Sequence, residues 1–247
     1  MTSRVRIDDL MARRGMVASR SRAGDAIRRG AVTVDGAPAR KAGQLVAKDV
    51  TIEIDDPAAG YVSRGALKLA VALDHFGFDA DRLNALDIGA STGGFTQVLL
   101  ERGAGHVTAI DVGNAQLHES LIREPRVTSL EGTDARSLTG DMIKDPVEAI
   151  VADVSFISLT KVLSAGLALA APGCWLVALI KPQFEVGPEA VGKGGIVRDE
   201  GVRERAVETV RNWLEQQPGW VIEGVIPSPI EGGGGNVEFL LGAKLIV

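Results

Sequence analysis

Asp87-Ile-Gly89-Ala-Ser91-Thr-Gly93-Gly94-Phe95-Thr96 directly follows the apolar start of the run Ala85–Ile88 and opens a helical stretch, Gly94–Glu101. The glycines let backbone come close to a ligand without a Cβ in the way. The spacing departs from the dinucleotide pattern G-x-G-x-x-G, because Ser91 stands at the second glycine position. The next apolar run, His106–Ile110, closes on Asp111, 22 residues after Gly89. An acid at that place accepts hydrogen bonds from ribose hydroxyls. Turn and acid together imply an adenosine-containing cofactor.

Working outward, strand-like runs recur at Val127–Leu130, Ala149–Ala152, Cys174–Ile180, Val221–Ile226 and Val237–Ile246, with a helical stretch at Val202–Glu215. Alternation of this kind predicts an α/β fold with a doubly wound, mostly parallel sheet. Ligands then bind beyond the carboxyl ends of the strands. Val162–Ile180 is uncharged over nineteen residues, about enough to span a bilayer. Pro172-Gly173 in its middle reads as a turn, so the run is expected to be helix, turn and buried strand.

The chain has 247 residues, 45% of them apolar, with 27 Lys+Arg, 32 Asp+Glu and a net charge of −5. That composition excludes a wholly disordered chain, and the acidic balance alone argues against a nucleic-acid partner. The average conceals a split: residues 1–48 hold eleven bases and four acids, a net of +7, leaving −12 for the remainder. A basic module on an acidic body points to nucleic acid. The single Cys174 excludes an internal disulfide and suits a reducing cytoplasm. His75, His106 and His118 have no metal-ligand spacing, so no metal is expected. No apolar core follows the basic residues of the first ten positions, so no signal peptide is expected there.

Within the basic part, Arg6–Arg14 and Ser21–Arg29 read as short helices, with Ser19 or Ser21 as the N-cap of the second. Ala31–Val34 reads as a strand entering a tight Asp35-Gly36 turn, and Leu45–Ile54 as a further strand region. The expected division is a small α+β domain at 1–57, a linker at 58–62, either rigid or hinged, and the larger domain at 63–247.

The pattern RxDxLMxRRG…SRSRAxxxIRRGAVTVDG resembles the S4 RNA-binding domain, and DIGASTGGFT resembles motif I of the S-adenosylmethionine (SAM) methyltransferases. Lys68 in YVSRGALKL, Asp153 in VADVSFIS, Lys181 in LIKPQFE and Glu238 in GNVEF resemble the catalytic tetrad of the FtsJ-like RNA 2′-O-methyltransferases. With GKGGIVRD, the set is similar to the TlyA family of ribosomal RNA cytidine-2′-O-methyltransferases, historically labelled hemolysins. The resemblance implies SAM as cofactor, with Asp87 and Gly89 beside its methionine end, Asp111 at the ribose and Asp134 by the adenine. Ser91, Gly93, Gly94, Phe95 and Asp153 complete the implied cofactor set. It implies ribosomal RNA of the 30S or 50S subunit, or both, as partner, with no membrane and no metal. RNA contacts are expected from Arg4, Arg6, Arg14, Arg20, Arg22, Arg28, Arg29, Arg64, Lys193 and Arg198.

A ribose 2′-hydroxyl is a poor nucleophile until it loses its proton. Lysine becomes a base when desolvated or set beside another cation. Lys181 is the expected base, with Lys68 as the neighbouring cation and Asp153 and Glu238 orienting the two amines. Phe156 and Phe184 flank tetrad residues and either stack a displaced base or pack in the core. Gly192–Asp199 is either an RNA-contacting loop or a surface turn. Glu231-Gly-Gly-Gly-Gly-Asn236 lacks a following helix and Lys-Ser/Thr, so it is not a phosphate loop, and it gives backbone freedom beside Glu238. Two alternatives remain, a non-catalytic RNA-binding ribosome-assembly factor and a membrane-lytic protein. The intact tetrad opposes the first and the broken apolar run opposes the second.

Overall fold

Ser19 caps the second helix of the chain: its backbone is extended and its Oγ accepts the Arg22 N–H at 3.2 Å. The computed structural model describes residues 4–17, 19–143 and 145–246. The chain divides after Gly60 into two units.

The first unit runs β1 (Arg4–Arg6), α1 (Ile7–Arg13), α2 (Arg20–Arg28), β2 (Val32–Val34), β3 (Ala37–Pro38), β4 (Leu45–Ala47) and β5 (Ile52–Ile54). Asp35 and Gly36 both have positive φ, as a tight hairpin between β2 and β3 requires. Leu45–Ile54 is not one strand region. β4 pairs with β1 and β5 pairs with β2, in separate sheets. The break has local causes: the Arg14 guanidinium donates to the Lys48 and Val50 carbonyls, and the Thr51 N–H donates to Asp35 Oδ1. Ile7, Met11, Ala23, Ile27 and Val32 form the core that closes helices onto strands.

The second unit runs α3 (Ala66–Phe76), β6 (Asn84–Ile88), α4 (Gly94–Glu101), β7 (His106–Asp111), α5 (Glu119–Ile122), β8 (Val127–Glu131) and β9 (Val147–Ala152). It continues through α6 (Leu159–Leu167), β10 (Ala170–Ile180), α7 (Pro182–Glu185), α8 (Glu200–Glu215), β11 (Trp220–Pro227) and β12 (Phe239–Leu245). Among the described residues, seven strands form one sheet in the order β11-β12-β10-β9-β6-β7-β8. β8, β7, β6, β9 and β10 are mutually parallel, and β12 alone runs against its neighbours. This is the doubly wound α/β fold the sequence predicts.

Alternate strand residues feed two cores. Ala85, Val107, Val151 and Val177 face one layer, with α3 and α4, while Leu86, Ile110, Ile150 and Leu176 face the other, with α6 and α8. Burial on both faces explains why these strands read as unbroken apolar runs. Pro172-Gly173 departs from expectation. The pair lies inside the exposed start of β10, where the register against β9 shifts between Ala170 and Trp175. Gly173, at φ 83, absorbs the irregularity that reads as a turn in sequence. The nineteen uncharged residues are thus split between α6 and β10, and no helix among the described residues is long and apolar enough to cross a membrane. Strand order reverses between β6 and β9, which places a crevice at Ile88 and Ala152.

Candidate active site

Gly89 begins the crevice. It has φ +84, and a Cβ there would stand 2.6 Å from the Asp153 carbonyl oxygen, so glycine alone lets the β6 turn touch the end of β9. The backbone then passes through Ser91, also at positive φ (47), before α4 begins. Asp111 at the end of β7 holds this loop. Its Oδ2 accepts the Ser91 N–H at 2.8 Å and its Oδ1 the Gly113 N–H at 2.7 Å. Glu131 at the end of β8 does the same for the next loop, accepting the Gln116 and Leu117 amides at 2.6 and 3.0 Å. Those amide hydrogen bonds hold the half-buried Glu131 carboxyl below the usual carboxylate range.

The result is a cavity of about 590 Å³ walled by Gly89, Ser91, Asp111, Asp134 and Asp153, with apolar surface from Ile110 and Val112. Its size and mixed lining suit a nucleoside-sized ligand. Asp134 reaches it already engaged by Arg136, whose Nη2 lies 2.6 Å from Oδ2. That guanidinium keeps the Asp134 carboxyl below its ordinary range. Asp87 does not reach this wall. It is fully buried and accepts the Thr96 hydroxyl at 2.6 Å, tying β6 to α4 beneath the loop.

Burial pushes the Asp87 carboxyl up to about 7, with the charges of Asp153 and Asp111 adding to the rise and Thr96 opposing it. An acid raised in the folded state favours folding fully below the unfolded value of about 4, and that contribution is lost as pH rises through 7. Asp87→Asn keeps an acceptor for Thr96 and removes the titration. Its melting temperature should therefore fall less than that of the parent between pH 5 and 8. Thermal unfolding followed across that range checks this, and parallel curves would refute it.

A second cavity, of about 260 Å³, shares Gly89, Ser91, Asp153 and Ser155 with the first and brings Lys68, Asp153, Lys181 and Glu238 together. Lys68, from α3, forms an ion pair with Glu238, just ahead of β12, and both are almost fully buried. Lys181, at the end of β10, lies 2.6 Å from Asp153 Oδ1 and donates to Ser155 Oγ at 2.9 Å. Each lysine thus has its own carboxylate. Lys68, expected as the neighbouring cation with the two carboxylates orienting the amines, has its charge compensated by Glu238. Glu238 fits only because residue 232 is glycine: a Cβ there would fall 1.9 Å from Oε1. The glycine-rich stretch therefore gives space at Gly232, beyond backbone freedom.

A third cavity, of about 370 Å³, shares Ser155, Lys181 and Glu238 and is bounded by Phe156, Phe184 and Gln183. Phe156 is 90% exposed at φ 67, with its ring 5.2 Å from that of Phe184. Core packing does not explain such a residue. Asn236, buried in this wall, accepts the Val197 N–H and donates to the Gly195 carbonyl, fixing the loop that carries the exposed Lys193. Arg64 lines the tetrad cavity, Arg198 is exposed, and Gly93, Gly94 and Phe95 sit at the start of α4, where Phe95 is buried.

In the first unit, Arg6 and Arg20 converge on the buried Asp8, at 2.7 and 3.4 Å. Hydrogen bonding from Arg6, aided by Arg20, holds the Asp8 carboxyl down to about 2. Arg28 pairs with Asp25, while Arg29 is mostly buried against Asp56. Arg14 is committed to carbonyls, and Arg4 is exposed. Arg40 and Lys41, absent from the expected contacts, line an open cavity of about 390 Å³ with Pro38 and Gln44. Their signal was the basic count alone. Ser155, Glu131 and Arg136 were also missed, although Ser155 lies within the quoted VADVSFIS.

Family comparison gives FtsJ-like methyltransferase over residues 61–245 and the S4 domain over 5–52. The chain is 46% identical over 242 residues to the 16S/23S rRNA (cytidine-2′-O)-methyltransferase TlyA of Mycobacterium tuberculosis, covering 98% of this chain and 90% of that protein. It is 38% identical to Hemolysin A of Brachyspira hyodysenteriae, covering 96% and 98% of the two chains. A solved structure from Streptococcus thermophilus, under a provisional hemolysin designation, aligns with a TM-score of 0.76 and 36% identity, covering 100% of this chain and 90% of its own.

Proposed function

The chain belongs to the FtsJ-like methyltransferase family, with an S4 domain ahead of the catalytic unit, and on that basis we propose that it transfers a methyl group from SAM to a ribose 2′-hydroxyl, of cytidine, in ribosomal RNA. The observation that carries this reading is the pair of lysine–carboxylate contacts, Lys68–Glu238 and Lys181–Asp153, facing a cavity that shares a wall with the nucleoside-sized one.

The larger cavity has the lining SAM needs: the Asp111 carboxylate to accept from a ribose, apolar Ile110 and Val112 for a base, and Gly89 where backbone must come close. When bound, SAM supplies an electrophilic methyl on a sulfonium. Lys181 Nζ, once it has released its own proton to solvent, accepts the proton of the 2′-hydroxyl, and Asp153 and Ser155 aim it. Lys68 and Glu238 line the same cavity as a second pair and restrict the hydroxyl's approach. Because the cavity that would hold the attacking oxygen adjoins the one that would hold the methyl donor, proximity would contribute much of the acceleration. The Phe156 and Phe184 rings give the target base a stacking surface after it leaves its helix. In the first unit, Arg4 and the Arg6–Arg20 fork meet phosphates, which gives affinity without sequence information.

Labelled SAM incubated with unmodified 30S and 50S subunits should label a cytidine ribose at its 2′ oxygen. Absence of label in both subunits would overturn this reading. The hemolysin names among the relatives supply a second reading, but the apolar run that would carry it is divided between α6 and β10, with most of its large side chains in the core.

A further inference from the structure

β9 and β10 are held in register up to Ala152 and Ala178, and beyond them the chain separates into the 153–158 loop and the 181–185 turn. Lys181 lies on one segment; Asp153, Ser155 and Phe156 lie on the other. The Lys181 contacts to Asp153 and Ser155 do span the gap. A lysine that exchanges a proton during each turnover is a poor fastener, however, because its ion pair weakens whenever its charge is lost.

A second tie exists. Glu185, four residues after Lys181, accepts the Ser158 hydroxyl on Oε2 at 2.5 Å and the Leu159 N–H on Oε1 at 2.9 Å. Ser158 is the N-cap of α6, and its Oγ in turn accepts the Thr160 N–H at 3.2 Å. The far end of the 153–158 loop is thereby bound to the turn that carries Lys181. The near end is fixed by the Asp153 N–H donating to the Ile88 carbonyl at 3.0 Å. Glu185 also immediately follows Phe184, whose ring faces that of Phe156 across the same gap. Burial raises the Glu185 carboxyl, and the Leu159 and Ser158 hydrogen bonds oppose that rise by favouring its charged form.

The geometry points to Glu185 as a positioning residue: it fixes the Lys181 turn to the 153–158 loop, and so sets both the Lys181–Asp153 contact and the Phe156–Phe184 platform independently of the charge on Lys181. This rests on the reading of Lys181 as the group that acts on the ribose hydroxyl.

Three variants test it: Glu185→Ala, Glu185→Gln and Ser158→Ala, each assayed in the full chain with SAM and unmodified subunits. Glu185→Ala should lower the single-turnover rate at saturating substrates on the order of 10- to 100-fold, the size expected of an ångström-scale misplacement. Binding of S-adenosylhomocysteine should weaken far less than the rate, because Glu185 itself does not line the larger cavity and reaches it only through the Asp153–Ile157 segment. Glu185→Gln should recover most of the rate, since its amide oxygen accepts from Leu159 and its NH₂ donates to Ser158. Ser158→Ala should slow transfer, and combining it with Glu185→Ala should add less than the two separate losses, as expected for one shared tie. If Glu185→Ala does not fold, the glutamine and serine variants decide the matter. A parent-like rate in Glu185→Ala with only a lower melting temperature, a glutamine variant as slow as alanine, or fully additive losses would each overturn the assignment. Failure of the parent protein itself to label either subunit would overturn the underlying reading instead.

Discussion

Lys181→Ala should lower single-turnover methyl transfer by roughly 10²- to 10⁴-fold, the range for loss of a general base, with binding of the cofactor nearly unchanged. The separation follows from placement. Lys181 lines the tetrad cavity and the aromatic cavity but not the nucleoside-sized one, so removing its amine leaves that wall intact. Lys181→Arg sharpens the test. Arginine retains the positive charge facing Asp153 but cannot give up its proton near neutral pH. If Lys181 acts only through its charge, the arginine variant should transfer at near-parental rates. If it accepts the 2′-hydroxyl proton, arginine should be nearly as slow as alanine. Rapid-quench assays with labelled SAM read the rates, and calorimetry with S-adenosylhomocysteine reads the binding. A near-parental single-turnover rate in either variant would remove Lys181 from the role of base.

How much of this site can be read along the chain depends on how its parts are connected. The glycine-rich turn and Asp111 are legible because the chemistry is local: both end strands that read as apolar runs, and both follow from the ligand rule for parallel sheets. Lys181 and Asp153 are legible for the same reason, each following a strand end. What the sequence does not carry is partnership. Lys68 and Glu238 are 170 residues apart, and only the sheet order, with β12 inserted beside β10, brings them together. Asp134, expected by the adenine, proves to be held by Arg136; Arg29, expected to contact RNA, proves to be turned onto Asp56. Pro172-Gly173 reads as a turn because turn propensity is local, and the long-range pairing of β10 overrides it. Phe156 reads equally as core or platform, since aromatic character is the same in both. Its exposure removes the core reading.

The Lys68–Glu238 pair should show the largest stability effect in the chain. Both groups are almost out of solvent, at 7% and 2% side-chain exposure, so each depends on the other for its compensation. Glu238→Leu strands an ammonium in the interior, and Lys68→Met strands a carboxylate; each should cost about 3–5 kcal/mol. For a catalytic unit of this size that corresponds to a fall of roughly 6–20 °C in melting temperature. The double variant Lys68→Met/Glu238→Leu should behave differently, because apolar groups of similar volume replace both charges and leave nothing uncompensated. Its melting temperature should return to within a few degrees of the parent, while methyl transfer should remain lost. Recovery of folding without recovery of activity is what distinguishes a pair that works on the ribose hydroxyl from one that merely holds α3 against β12. Calorimetric melting with parallel transfer assays reads both. Single variants that melt like the parent would mean the pair is not desolvated, and a double variant with parental transfer would take both residues out of the catalytic set.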